Sequence, residues 1–359
     1  MNEKLKVGII GATGMVGQRF ITLLAEHPWF EITALAASGR SAGNLYEDAV
    51  KGRWKMSVDI PEKCRKMTVL DASDIDLVAS KVDFVFCAVN MDKAQILKLE
   101  EDYAKAEIPV VSNNSANRWT DDVPMVIPEI NPEHLAVIED QKKRLGTKRG
   151  FIAVKPNCSI QSYVPAITPL LKYGVETVVA TTYQAISGAG KTFKEWPEMI
   201  DNVIPFISGE EQKSEQEPLK IWGEYKNGKI EKAQSPLITT QCIRVPVSDG
   251  HTAAVFIKFK NKPSKEDILK AWAEYEGPSG KLPSSPDKFV TYFEEDNRPQ
   301  ARLDRTLYNG MGISVGRLRE DTCFDYKFVG LSHNTLRGAA GGAVLIAELL
   351  AKEGYITKK

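Results

Sequence analysis

Lys6-Val7-Gly8-Ile9-Ile10-Gly11-Ala12-Thr13-Gly14-Met15-Val16-Gly17 runs from an apolar strand pattern, through closely spaced glycines, into a helical pattern. Val16, Phe20, Leu23 and Leu24 continue one helix face to about His27. Strand, glycine turn and helix in that order form the setting in which a glycine motif binds a dinucleotide. Gly11 permits the tight turn, Gly14 lets the backbone approach a pyrophosphate, and Gly17 allows close packing of helix on strand. The pyrophosphate would rest at the helix N-terminus, so residues 11–16 (Gly11, Ala12, Thr13, Gly14, Met15, Val16) form the expected cofactor-binding stretch. The alternative is a glycine turn with no ligand.

Residues 31–37 make the next strand pattern. At its end, where NAD sites carry an Asp or Glu for the ribose hydroxyl, the chain reads Ser38-Gly39-Arg40-Ser41. An arginine flanked by Ser38 and Ser41 suits a 2′-phosphate, so NADP is the expected cofactor; Arg40 as a solvated surface charge is the other reading. Strand patterns at 82–89 and 108–112 bracket a helical one near 92–106, and this alternation predicts a parallel, doubly wound sheet. Ser112-Asn113-Asn114-Ser115-Ala116-Asn117-Arg118 is the most polar loop at the sheet's C-terminal edge, where ligands of open α/β sheets bind. It also reads as an ordinary Asx-rich turn. A hydrophilic connector follows around 139–149.

Phe151-Ile152-Ala153-Val154 is a short buried strand pattern that Lys155-Pro156 should end. Asn157-Cys158-Ser159 comes next, then Ile160, Val164, Ile167, Leu170 and Leu171 at helical spacing up to Gly174, with Pro165 and Pro169 predicting a short or kinked helix. Cys158 at a helix start should have a lowered thiol pKa, as a nucleophile requires. Taken alone, it reads equally as a small apolar filler. Beyond it, long strand patterns at 176–186, 237–247, 252–260, 288–294, 312–319 and 323–331 have few helices between them. They predict an α+β domain on a largely antiparallel sheet. Small residues at 337–342 lead into an apolar helix at 343–351, suited to packing back against the first domain. The expected division is 1–155 for a Rossmann-like domain, completed by 335–359, and 156–334 for the catalytic domain.

Lys plus Arg number 47 and Asp plus Glu 47, so no basic field for nucleic acid or membrane surfaces is present. Apolar runs are too short to span a bilayer, and Met1-Asn2-Glu3-Lys4 leads straight into a strand pattern. Five cysteines, widely spaced and without a CxxC pair, argue for a reducing, cytoplasmic setting and against a disulfide framework or zinc site; no metal is expected.

A thiol nucleophile calls for an acid/base, and His251 is the best placed of four histidines, in a polar turn between long strands. Standing alone it would read as a surface turn histidine. Arg118 and Arg244 could each fork onto a carboxylate or phosphate. Cofactor, thiol, base and arginines together point to aldehyde oxidation through a thioester.

Gly11–Gly17, Asn157-Cys158-Ser159, Tyr183-Gln184-Ala185, Arg244-Val245-Pro246 with His251, and Arg337-Gly338-Ala339-Ala340 resemble aspartate-β-semialdehyde dehydrogenases, from first strand to last helix. The loop Ser112-Asn113-Asn114-Ser115-Ala116-Asn117-Arg118-Trp119 is similar to the archaeal and fungal branch. The resemblance implies Cys158 as nucleophile, His251 as acid/base and Gln184 as the group orienting substrate and acyl-enzyme. It implies Arg244 and Glu210 at the amino-acid carboxylate and ammonium, with Asn157, beside the nucleophile, also binding substrate. Arg118, Asn117 and Lys213 would bind phosphate. Ser38, Arg40 and Ser41 match an NADP-selecting loop, and Ser187, Gly188 and Asn334 match positions near the nicotinamide. The expected reaction interconverts L-aspartate-4-semialdehyde and L-4-aspartyl phosphate, in a homodimer or dimer of dimers. The Glu210-Glu211-Gln212-Lys213 run also reads as a solvated face. Rival readings are a malonyl-CoA reductase-like enzyme using a CoA thioester, an N-acetylglutamyl-phosphate reductase, and a catalytically silent NADP-binding protein.

Overall fold

The computed structural model describes residues 3–359. β1 (Leu5–Ile10), β2 (Phe30–Ala37), β3 (Leu70–Asp71), β4 (Phe84–Cys87), β5 (Val110–Ser112) and β6 (Ile152–Val154) form one sheet in the order β3-β2-β1-β4-β5-β6. Every pairing in it is parallel. Val7, Ile9, Ile10 and the whole of Phe84–Cys87 are buried, as strands covered on both faces must be. The strand order reverses between β1 and β4, and that is where a ligand crevice opens in such sheets. Gly11 turns there with φ of +90°, and a Cβ on it would stand 2.3 Å from the Ala88 carbonyl oxygen. A Cβ on Gly17 would meet the Gly11 carbonyl oxygen at 2.3 Å, so the helix Met15–Leu24 packs as closely as its glycines allow.

The helix Gly341–Lys352 belongs to this layer. Ala343, Val344, Leu345, Ile346, Ala347, Leu349 and Leu350 are buried with Val7, Ile9, Phe20, Phe84 and Phe86 in one core. His27 lies beyond the end of the first helix at Leu24 and bonds Glu348 of this last helix at 2.8 Å.

A second sheet joins β7 (Val175–Gln184), β10 (Leu237–Arg244), β11 (His251–Phe259), β12 (Val290–Phe293), β13 (Ile313–Glu320) and β14 (Tyr326–Ser332) in the order β10-β7-β11-β14-β13-β12; β8 (Glu224–Lys226) and β9 (Lys229–Glu231) make a separate hairpin. The central pairings are antiparallel and the two outermost, β10 with β7 and β12 with β13, are parallel. One face buries Val178, Ala180, Ala253, Val255 and Ile257. The opposite face leaves Val179, Thr181, Tyr183, Ala254 and Phe256 partly or fully exposed.

Three local expectations are corrected. The segment after Cys158 is not one helix: Ser159–Ser162 and Thr168–Tyr173 are 3₁₀ turns flanking the α-turn Val164–Ile167. Prolines at 165 and 169 remove the N–H groups that a continuous ladder needs. The connector around 139–149 contains the helix Ile138–Leu145, whose narrow buried stripe (Ile138, Gln141, Leu145) hides among charges and ends at Gly146 in the left-handed region. His251 is not in a turn: Gly250 makes the turn, with φ of +100°, and His251 opens β11 opposite Ser332, fully buried.

Candidate active site

Two cavities meet between the sheets. The larger, about 1020 Å³, lies over the switch point and is bordered by Thr13, Gly14, Met15 and Val16, by residues 88–90, and by Gly188, Ala189 and Gly190 of the second domain. Gly14 caps the helix Met15–Leu24 without a side-chain hydrogen bond, leaving first-turn N–H groups for a ligand. Gly11 and Ala12 serve differently from the other four. Their N–H groups both donate to the Ala36 carbonyl oxygen, at 2.8 and 3.0 Å, so they shape the turn rather than offer donors. Lys55 crosses the cleft, donating to the Gly190 carbonyl oxygen at 2.9 Å and pairing with Glu195 at 2.8 Å. Ser38 and Arg40 are exposed at the C-terminal end of β2, while Ser41 is buried in the turn behind them. None of the three borders either cavity. An acid does stand nearby: a Cβ on Gly39 would lie 3.2 Å from the Asp71 carboxylate, which Ser73 holds below the usual carboxylate range through side-chain and backbone hydrogen bonds.

The smaller cavity, about 330 Å³, shares Met15, Val16, Asn113, Gly188 and Gly190 with the larger. It brings together Cys158, Gln184, Ser187, Glu210, Lys213, Arg244 and Asn334, with Arg118 and Asn157. Cys158 Sγ lies 3.5 Å from His251 Nε2. The His251 Nδ1 accepts from the Ala185 N–H at 3.0 Å, so the neutral ring carries its proton on Nε2, facing the sulfur. Asn157 is fixed on three sides: Nδ2 donates to Glu210 at 2.5 Å, Oδ1 accepts from the Ser159 N–H at 2.7 Å, and its N–H donates to Glu217 at 2.6 Å. Arg244 Nη1 donates to the Ala185 carbonyl oxygen at 2.7 Å. Gly188 packs closely here, since a Cβ there would stand 2.9 Å from Arg244 Nη1 and 3.1 Å from the His251 ring. Gln184 is buried, donating to the Thr182 hydroxyl at 3.2 Å. Asn334 Nδ2 donates to the Ser187 hydroxyl at 2.8 Å, tying the two residues together.

Glu210 is buried, so the Glu-Glu-Gln-Lys run is not a solvated face at that position; Lys213 lies 3.5 Å from it. Asn117 does not reach the cavity. Its amide is taken by Glu100 at 2.7 Å and its oxygen by Thr120 at 3.0 Å, so it braces the loop and is not available to phosphate. Arg118 does reach, but Nη1 is paired with Glu217 at 2.8 Å and Nε donates to the Lys155 carbonyl oxygen at 3.0 Å. The thiol pKa is raised, not lowered: burial pushes it up, Glu210 adds to that, and Lys155, Arg118 and Arg244 oppose it. The expected drop assumed a helix dipole that a four-residue 3₁₀ turn does not supply. His251 is pushed well below the usual histidine range by burial, with Arg244, His333 and Lys155 acting in the same direction.

Residues 6–138 match the family described as semialdehyde dehydrogenase, NAD binding domain, and residues 167–337 match semialdehyde dehydrogenase, dimerisation domain. An aspartate-semialdehyde dehydrogenase of Archaeoglobus fulgidus is 45% identical over 98% of this chain and 100% of its own. The chain belongs to the aspartate-semialdehyde dehydrogenase family. A second member, from Aspergillus fumigatus, is 43% identical over 98% of this chain and 99% of its own. The crystal structure of the Candida albicans aspartate-semialdehyde dehydrogenase with NADP superposes with a TM-score of 0.87 at 39% identity, covering 99% of this chain and 100% of that one.

Sequence reasoning passed over two charged residues in this aspartate-semialdehyde dehydrogenase site, Glu217 and Lys155. Glu217 is wholly buried and holds both Arg118 and the Asn157 N–H. It stands seven residues after Glu210 on the helix Glu210–Ile221, hence on the same face, and that spacing was the available signal. Lys155 is 3% exposed and borders the smaller cavity. Its place between the strand and the cysteine motif was the only hint. Among the described residues no helix is long and apolar enough to cross a membrane.

Proposed function

We propose that the chain interconverts L-aspartate-4-semialdehyde plus phosphate with L-4-aspartyl phosphate, using NADP and a thioester on Cys158, and working physiologically in the reductive direction. The observation that carries this reading is the Cys158–His251 contact at 3.5 Å in a cavity that also holds Arg244, Glu210 and Arg118. Residues 13–16 with their uncapped helix start would hold the pyrophosphate, and the Ser38-Arg40-Ser41 loop the 2′-phosphate. Bound NADP supplies the hydride acceptor of the oxidation.

The chain's own residues do the rest. Cys158 thiolate forms a bond to the aldehyde carbon, and the carbonyl oxygen takes up the negative charge. His251 presents Nε2–H to that oxygen, stabilising the charge where it develops. Its tautomer makes it a donor at this stage, so the thiol proton must leave before attack. Gln184 orients the adduct, Arg244 holds the permanent carboxylate and Glu210 the ammonium. Phosphate, held by Arg118 and Lys213, attacks the thioester carbon, and the carbon–sulfur bond breaks to return the thiolate. The partly open face of the second sheet, within the dimerisation domain, supports a homodimer or a dimer of dimers, and the cysteine usage supports a cytoplasmic enzyme.

NADPH production from aspartate semialdehyde, with phosphate or with CoA as acyl acceptor, tests the reading. Turnover that requires phosphate is the expected result. Turnover with CoA and not phosphate would make the chain a CoA-thioester reductase, and none with either would leave the silent NADP-binding reading.

A further inference from the structure

Lys155 is a buried lysine without a counter-ion among the described residues. It is 3% exposed, at the end of β6, and among the described residues its side chain makes one hydrogen bond, to the neighbouring Pro156 carbonyl oxygen, and no ion pair. Its backbone is fixed, the N–H on Ser112 and the carbonyl oxygen on Arg118 Nε. Its stem passes the start of the last helix, where a Cβ on Gly342 would lie 3.4 Å from Lys155 Cδ. A charge placed so costs stability unless an anion comes to it.

Most other charges around the cavity are already paired. Arg118 and Glu217 neutralise each other at 2.8 Å, Glu210 lies against Asn157 and Lys213, and Arg337 is paired with Glu129 at 2.6 Å. Arg244 donates to the Ala185 carbonyl oxygen at 2.7 Å and, like Lys155, has no ion pair among the described residues. Cys158 is three residues from Lys155 on the same cavity wall, and its sulfur can become an anion. It has neither a helix dipole nor a proton acceptor on His251 to favour that state.

We propose that Lys155 is the cation that holds Cys158 as a thiolate. The S–H bond breaks, its proton leaves to solvent through the open cavity, and Lys155 keeps its own proton to face the sulfur. Lys155 thus acts through Cys158 and is a positioning residue, electrostatic in kind. Burial and Arg118 depress the Lys155 pKa to about 7, while Cys158 and Glu217 pull it back up and Arg337 pushes down. Thiol and amine therefore titrate as a pair, each favouring the charged form of the other. His251 lies 3.5 Å from the sulfur, and the charged groups that act on it are Glu210, Lys155, Arg118 and Arg244. Among the described residues the two of these cations without an ion pair are Lys155 and Arg244, and Lys155 is the one three residues from the cysteine.

The inference rests on reading Cys158 as the nucleophile, and its test needs no substrate. Cys158 alkylation by iodoacetamide is followed against pH by mass spectrometry in the full chain, for wild type, Lys155→Met and Lys155→Arg. Lys155→Met should move the inflection upward and slow alkylation at pH 7.5 by about tenfold, one pH unit of thiolate population. Lys155→Arg should restore most of the rate. An unmoved profile in Lys155→Met would overturn the proposal. Should Lys155→Met not fold, the reciprocal measurement decides: competitive acetylation of Lys155 should show its pKa falling in Cys158→Ala, and an unchanged value would overturn the idea equally. A Cys158→Ala variant that still turned over would instead sink the covalent mechanism, so the two failures are distinct.

Discussion

Arg118 and Arg244 carry the same charge but are held in different ways. Arg118 spans from the Asn-rich loop to Glu217 and the Lys155 carbonyl oxygen, whereas Arg244 leans on the Ala185 carbonyl oxygen next to Gln184. Lysine keeps the charge and loses the fork, so Arg→Lys probes geometry at both positions. A two-substrate kinetic grid should show Arg118→Lys raising the phosphate requirement roughly 10- to 100-fold, the loss of one charge-assisted hydrogen bond. Arg244→Lys should impair aspartate semialdehyde use at every phosphate concentration. An unchanged phosphate dependence in Arg118→Lys with an altered one in Arg244→Lys would reverse the assignment. Arg40→Ala should weaken NADP by about 1.5–3 kcal/mol and leave NAD unaffected, checked by equilibrium binding of both cofactors. A native preference for NAD would instead give Asp71 the deciding role. The candidate site groups were legible because cysteine, histidine and arginine are chemically particular. Lys155 and Glu217 were not, since lysine and glutamate are ordinarily surface charges and only burial separates these two from the rest.

Among the elements, those with one strong periodicity were legible and those with mixed signals were not. The buried runs of β1 and β4 admit few other readings, and the glycine spacing fixes how the first helix meets the sheet. The segment after Cys158 has helical spacing and two prolines, and the prolines prevail over the spacing. The helix Ile138–Leu145 was missed because its buried stripe includes a glutamine, which serves the Ile152 N–H and two carbonyl oxygens from inside the core. The end of β6 yields a prediction of its own. Lys155 binds its proton less tightly in the folded chain than in the unfolded one, so its penalty is fully present below pH 7 and fades as pH rises toward the ordinary lysine value. Lys155→Met keeps the stem and removes the charge. It should stabilise the fold by a few kcal/mol at pH 6, with the gain shrinking by pH 9.5, read from denaturant midpoints. Equal midpoints for the two proteins at pH 6 would show that the ammonium already has an unseen partner.

In the whole molecule, the candidate site residues come from both layers and meet only where the layers meet, and the Lys55–Glu195 pair crosses that junction over the larger cavity. The first layer also borrows its last wall from the far end of the chain, since the helix Gly341–Lys352 fills a core made mostly before residue 154, to which Leu282 and Met311 add. A ribosome making this protein therefore releases the first sheet with that wall bare, and must add about half the chain before the helix can cover it. Through that interval Val7, Phe20, Phe84 and Phe86 are a standing invitation to chaperones and to neighbouring nascent chains. A chain stopped at Ala340 should be degraded or insoluble. Supplying the helix as a separate peptide during refolding should recover soluble protein, measured by sedimentation and NADP binding. Soluble, cofactor-binding protein without the helix would mean that the first layer matures during synthesis after all.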